Sequence, residues 1–125
     1  MKKTILLIEN DKILRDMYAT KLKKYKYQVV VRAEARSALE WLSKNSVDLI
    51  VLDILLPKIN GIKLIKNIRK DHHHKSVKII ILTHLNQADI NLNTTIRDSL
   101  GVDGYFVKSQ IAPDKLIDIV RTIIE

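Results

Sequence analysis

The 125-residue chain contains no cysteine, which excludes a disulfide framework, a thiolate zinc site and a cysteine nucleophile together. A reducing compartment would tolerate that composition, and a cytoplasmic location is the expectation. Two prolines and three glycines are too few for a collagen-like or linker-rich chain. With one tryptophan, one phenylalanine and four tyrosines, core building falls to Ile, Leu and Val. No apolar run approaches the roughly 20 residues of a membrane span. Met1-Lys2-Lys3 has the charge of a signal peptide, but the apolar run Ile5 to Ile8 is too short and ends in Glu9-Asn10-Asp11.

Acidic residues are also in short supply. Fourteen Asp and Glu face 22 Lys and Arg, a net charge of +8 that favours acidic partners, whether nucleic acid, anionic membrane or an acidic protein surface. The excess gathers at Lys12, Arg15, Lys21, Lys23, Lys24 and Lys26, and again at Lys58, Lys63, Lys66, Arg69, Lys70, Lys75 and Lys78. Two solvated helix faces account for this better than a nucleic-acid footprint, since these bases are read as lacking the interleaved aromatics that a single-strand stacking platform requires.

What the chain has is a series of short aliphatic runs. The run Leu49 to Leu52 does not alternate, so it suits a central strand covered on both faces. Asp53 closes it, and Pro57 and Gly61 mark the loop and helix start beyond. Further strands are predicted over Thr4 to Glu9, Tyr27 to Arg32, Val77 to Thr83 and Asp103 to Lys108. Helices are predicted over Asp11 to Tyr25, Glu34 to Lys44, Gly61 to Lys70 and Asn86 to Leu100, with a last one from Pro113. The first helix should bury Ile13, Leu14, Met17, Tyr18, Leu22 and Tyr25, and Trp41 on the second should pack in part. The helix after Asn86 has poor intrinsic propensity and depends on Ile90, Ile96 and Leu100.

Five strands alternating with five helices imply a single α/β domain over residues 1–125 with a doubly wound parallel sheet, for which the flavodoxin-like order 2-1-3-4-5 is chosen. That order brings strands one and three together at the switch point, so Glu9, Asn10 and Asp53 should converge where such sheets bind ligands. Oxygen ligands without sulfur or imidazole suit Mg²⁺, which takes one or two carboxylates and keeps several waters. Thr83 and Lys108, closing strands four and five, offer a hydroxyl and an ammonium to a phosphoryl group attacked by a carboxylate.

The segments ILLIEND, LIVLDILLPKING, IIILT and GYFVK resemble those of response-regulator receiver domains, the phosphoacceptors of two-component signalling, and the resemblance runs from Lys3 to Ile124. It implies Asp53 as phosphoacceptor, Glu9, Asn10 and Asp53 with the backbone carbonyl of Leu55 as Mg²⁺ ligands, Thr83 and Tyr105 as a switch pair, and Lys108 on the phosphoryl group. It also implies a histidine kinase or phosphotransfer protein as donor, a downstream protein as target, and a monomer or phosphorylation-dependent dimer. No output domain and no turnover of an external substrate are expected.

Three departures from the family pattern stand out. Asn10 replaces a usual carboxylate, which should weaken Mg²⁺ binding. Ser109 follows Lys108 in place of a proline, where a cis bond would cost about 2.5–4 kcal/mol, so that loop should differ. His84 follows the switch threonine where a small residue is common; a loop histidine is favoured there over a proton donor. His72, His73 and His74 read as a solvated turn, not a metal site. Leu55 and Leu85 flank Asp53 with apolar groups, an expected cause of slow hydrolysis. The alternative is a degenerate receiver that binds partners without phosphorylation. An aspartyl phosphatase is disfavoured because position 55 lacks the second aspartate such enzymes carry.

Overall fold

The computed structural model describes residues 2–54, 61–83 and 101–125. Strand β1 (Thr4–Ile8) leads into α1 (Lys12–Lys23), then β2 (Gln28–Arg32), α2 (Ala35–Leu42), β3 (Leu49–Asp53) and α3 (Gly61–Lys70). A 3-10 turn at His72–His74 precedes β4 (Lys78–Thr83); β5 (Gly104–Val107), a 3-10 turn at Lys108–Gln110 and α4 (Pro113–Ile124) complete the described elements. The predicted helix from Asn86 to Leu100 lies outside the described residues, as do Leu55, His84 and Leu85.

All strand pairs are parallel, as the alternation of elements predicts, and the order is β2-β1-β3-β4-β5, the flavodoxin-like one chosen. Every residue of β3 is buried. The pleat sends Leu6, Ile8, Ile50, Leu52, Ile79 and Ile81 to the layer formed with α2 and α3. It sends Ile5, Leu7, Leu49, Val51, Ile80 and Leu82 to the layer formed with α1 and α4. Each aliphatic side chain so enclosed contributes about 1.5–3 kcal/mol, which is why runs without polar alternation become the middle of the sheet. Trp41 packs partly buried against the first layer, as expected.

Two expected core residues of α1 are outside. The buried face consists of Tyr18, Ala19 and Leu22. Ile13, five residues before Tyr18 and hence about 140° round the helix, is 81% exposed. Tyr25 lies past the last helical residue and is 45% exposed, with the Arg121 guanidinium 4.5 Å from its ring centre. The histidine turn needs correction too. His72 and His73 are exposed, but His74 is buried and its Nε2 lies 2.9 Å from the Leu42 carbonyl, tying the turn to the end of α2. The Asp71 side chain starts the turn by accepting from the His73 amide at 2.9 Å.

At the amino edge of the sheet Arg69 donates to four carbonyls, those of His74, Lys75, Val77 and Gly101, at 2.7–3.3 Å. At the opposite edge Gly61 touches backbone. A Cβ there would sit 2.6 Å from Ile54 Cα and 2.9 Å from its carbonyl oxygen, which already accepts from the Gly61 amide at 2.8 Å. Gly61→Ala is therefore expected to cost about 1–3 kcal/mol in urea denaturation, since backbone beside Asp53 must move to admit a methyl group.

Tyr27 supplies a pH-dependent contribution. Burial, and then the hydrogen bond from its hydroxyl to Glu125 Oε2 at 3.0 Å, push its pKa up to about 12. A raised folded-state value means the stabilisation is complete below the ordinary 10.0 and disappears as pH rises through about 12. Ultraviolet titration should show a tyrosine ionising near that upper value in the native protein and missing in Tyr27→Phe.

Candidate functional site

Register alone brings three strand ends together. Ile8 pairs with Leu52 and Asp53 with Leu82, so Glu9 emerges next to Asp53. Thr83 pairs with Val107, so Lys108 emerges one residue past the end of β5. Lys108 Nζ donates to Glu9 Oε1 at 2.5 Å and to Asp53 Oδ2 at 3.0 Å. The three side chains are 4%, 1% and 6% exposed, so one ammonium holds two carboxylates in a site nearly closed to water.

Their electrostatics follow from that enclosure. Burial pushes the Glu9 carboxyl above its ordinary value, opposed in part by the Lys108 hydrogen bond and the Asp11 amide. Burial pulls Lys108 the other way, but its hydrogen bonds to Glu9 and Asp53 outweigh that and leave its pKa raised. Lysine is thus held charged between the two carboxyl groups.

The remaining predicted residues divide. Thr83 is completely buried at the end of β4. Tyr105 is only 8% exposed and belongs to the layer of α2 and α3, so its ring is already turned inward. Asn10 is exposed, beside the site in sequence. Asp11 turns away from the site: its carboxylate caps α1 by accepting from the Leu14 amide at 3.1 Å. Glu9 Oε2 accepts from the Asp11 amide at 3.1 Å, leaving both its oxygens engaged. Ser109 is exposed in the 3-10 turn, and no described peptide bond is cis.

Arg15 was not anticipated as part of the site. Its Nη1 donates to the Glu9 carbonyl at 3.0 Å and the Asn10 carbonyl at 3.4 Å, bracing the loop that presents both residues. Its place in the first turn of α1, just after the strand end, was the available signal, hidden among many surface bases.

Among the described residues no three of His, Cys, Asp and Glu cluster as a metal site. Glu9 and Asp53 nevertheless present two buried carboxylates on adjacent strand ends, the number a hydrated Mg²⁺ takes. A carboxylate held by an ammonium in a dry site suits nucleophilic attack on an electrophile that bears negative charge.

The response regulator receiver domain family matches residues 5–121. Regulatory protein VanRc of Enterococcus gallinarum is 32% identical over 108 residues, covering 86% of this chain and 44% of that protein. Response regulator ArlR of Staphylococcus haemolyticus is 33% identical over 104 residues, covering 83% and 45%. The chain spans a little under half the length of these relatives. Among solved structures, the receiver domain of Francisella response regulator 1452 is 26% identical with a TM-score of 0.84, covering 98% of this chain and 97% of that one. The chemotaxis response regulator CheY4 of Vibrio cholerae, at 23% identity, shares the fold with a TM-score of 0.86 over 98% of this chain and 99% of its own.

Proposed function

Since this chain belongs to the response-regulator receiver family of two-component signalling, we propose that Asp53 is its phosphoacceptor. The donor is a phosphohistidine on a kinase or phosphotransfer protein. An Asp53 oxygen attacks phosphorus, the P–N bond breaks, the imidazole leaves with its electron pair, and an acyl phosphate forms. The contact that carries this reading is the Lys108 ammonium bonded to both Asp53 and Glu9. It places a positive charge where phosphoryl oxygens gather charge during transfer.

Lys108 turns from its present carboxylates toward the phosphoryl oxygens, and Thr83 offers its hydroxyl from the neighbouring strand end. Glu9 and Asp53, with Asn10 as an amide ligand, are the residues that would hold Mg²⁺. A bound Mg²⁺ supplies positive charge against the approaching phosphoryl group. Losing one carboxylate at Asn10 weakens that attraction, so higher Mg²⁺ concentrations are needed. Phosphorylation adds up to about −2 charge beside Lys108 and Thr83. The buried Tyr105, on the adjacent strand, passes the change to the surface of β5 and α4, which a downstream protein reads. The protein catalyses only its own phosphorylation and dephosphorylation.

The exposed Asn10 favours a second reading, a binding module independent of phosphorylation. Intact-mass measurement with a small phosphodonor, over a Mg²⁺ titration, separates the two while Trp41 fluorescence follows the conformation. Gain of one phosphoryl group supports the phosphoacceptor; no gain at any Mg²⁺ concentration rejects it in favour of the binding module.

A further inference from the structure

At the edge of the sheet opposite Asp53, Lys2, Lys3, Tyr25, Lys26, Tyr27 and Glu125 line an open cleft of about 410 Å³. Lys3 is fixed at its floor by its carbonyl, which accepts from the Gln28 amide at 2.9 Å as β1 and β2 begin. Among the described residues no carboxylate forms an ion pair with Lys2, Lys3 or Lys26. The Glu125 side chain, the one acidic side chain in the lining, accepts from the Tyr27 hydroxyl at 3.0 Å and Arg121 Nε at 3.4 Å.

Two features distinguish the cleft from an ordinary basic surface. Lys26 has φ of 66°, a left-handed conformation that disfavours a side chain with a Cβ and that glycine or asparagine adopts more cheaply. Tyr25 lines the cleft while the Arg121 guanidinium lies 4.5 Å from its ring centre. A polarised aromatic ring thus stands beside three lysines with no ionic partner.

We propose that this cleft binds single-stranded nucleic acid, one unpaired base stacking on Tyr25 while three successive phosphates of the strand lie on Lys2, Lys3 and Lys26. The net charge of +8 draws a polyanion to the protein. Phosphates answer the lysines, and an unpaired base answers the ring, a combination that single-strand binding surfaces share. An acidic peptide would use the lysines and leave Tyr25 without a role; a duplex keeps its bases stacked and out of reach. Contrary to the sequence expectation, an aromatic is interleaved with the basic residues: Tyr25 lies between Lys24 and Lys26 in the turn beyond α1.

The test is fluorescence anisotropy of a labelled short oligothymidylate with the intact chain, read over a salt series. The expected log–log salt slope is about −0.7 per phosphate neutralised, or about −2 for three lysines. The combined variant Lys2→Gln, Lys3→Gln and Lys26→Gln should flatten it accordingly. Tyr25→Ala should weaken binding about five- to a hundredfold at fixed salt, and Tyr25→Trp should restore it. No binding at low salt, Tyr25→Ala binding as tightly as wild type, or duplex or polyglutamate competing as well as the single strand would each overturn the proposal.

Discussion

Asp53→Asn should take up no phosphoryl group from a small phosphodonor under conditions in which the wild-type protein gains one by intact mass. The amide keeps the size of the carboxylate and removes its nucleophilic charge, so the loss is complete rather than partial. Folding survives the substitution because Lys108 retains Glu9 as an ionic partner at 2.5 Å. The variant's denaturation midpoint therefore serves as the control: an unphosphorylated but folded protein is the expected result. Equal mass gain in wild type and variant would move the acceptor to another side chain.

Lys108→Met should have the largest effect on stability. Two carboxylates that are 1% and 6% exposed would lose the cation that joins them. Removing one partner from a buried charge cluster costs about 3–5 kcal/mol, because the remaining charges keep their desolvation penalty and lose their compensation. Urea denaturation at neutral pH measures it. A double variant, Glu9→Gln with Lys108→Met, should be less destabilised than the sum of its parts, with a coupling of about 0.5–3 kcal/mol. Strict additivity would show that the short contact in the structure carries no energetic weight.

Much of this arrangement was legible in the residues, and the reason is the sheet. A parallel strand buried on both faces must be apolar throughout, so the first polar residue after each run marks the carboxyl edge: Glu9, Asp53 and Thr83 announce themselves in this way, while Lys108 follows the half-buried edge strand β5. Right-handed crossovers leave more than one doubly wound strand order open, and the flavodoxin-like one is the order observed. Helix faces were less legible, because periodicity says nothing about where a helix stops or which way its first turn looks. Ile13 and Tyr25 fit the spacing of α1 and still face water. His74 was misjudged for a related reason: polar residues after a helix usually belong to solvent, and only a carbonyl from α2, distant in sequence, draws this one inside. The lysine's bond to two carboxylates at once, and Arg15's bonds to two carbonyls, depend on rotamers that no pattern of residue types encodes.

Arg69 has a mechanical consequence. Because one guanidinium gathers carbonyls from the histidine turn, the approach to β4 and Gly101, the two connections there cannot slide past each other without giving up several bonds together. Loss of that one side chain would therefore loosen both connections at once.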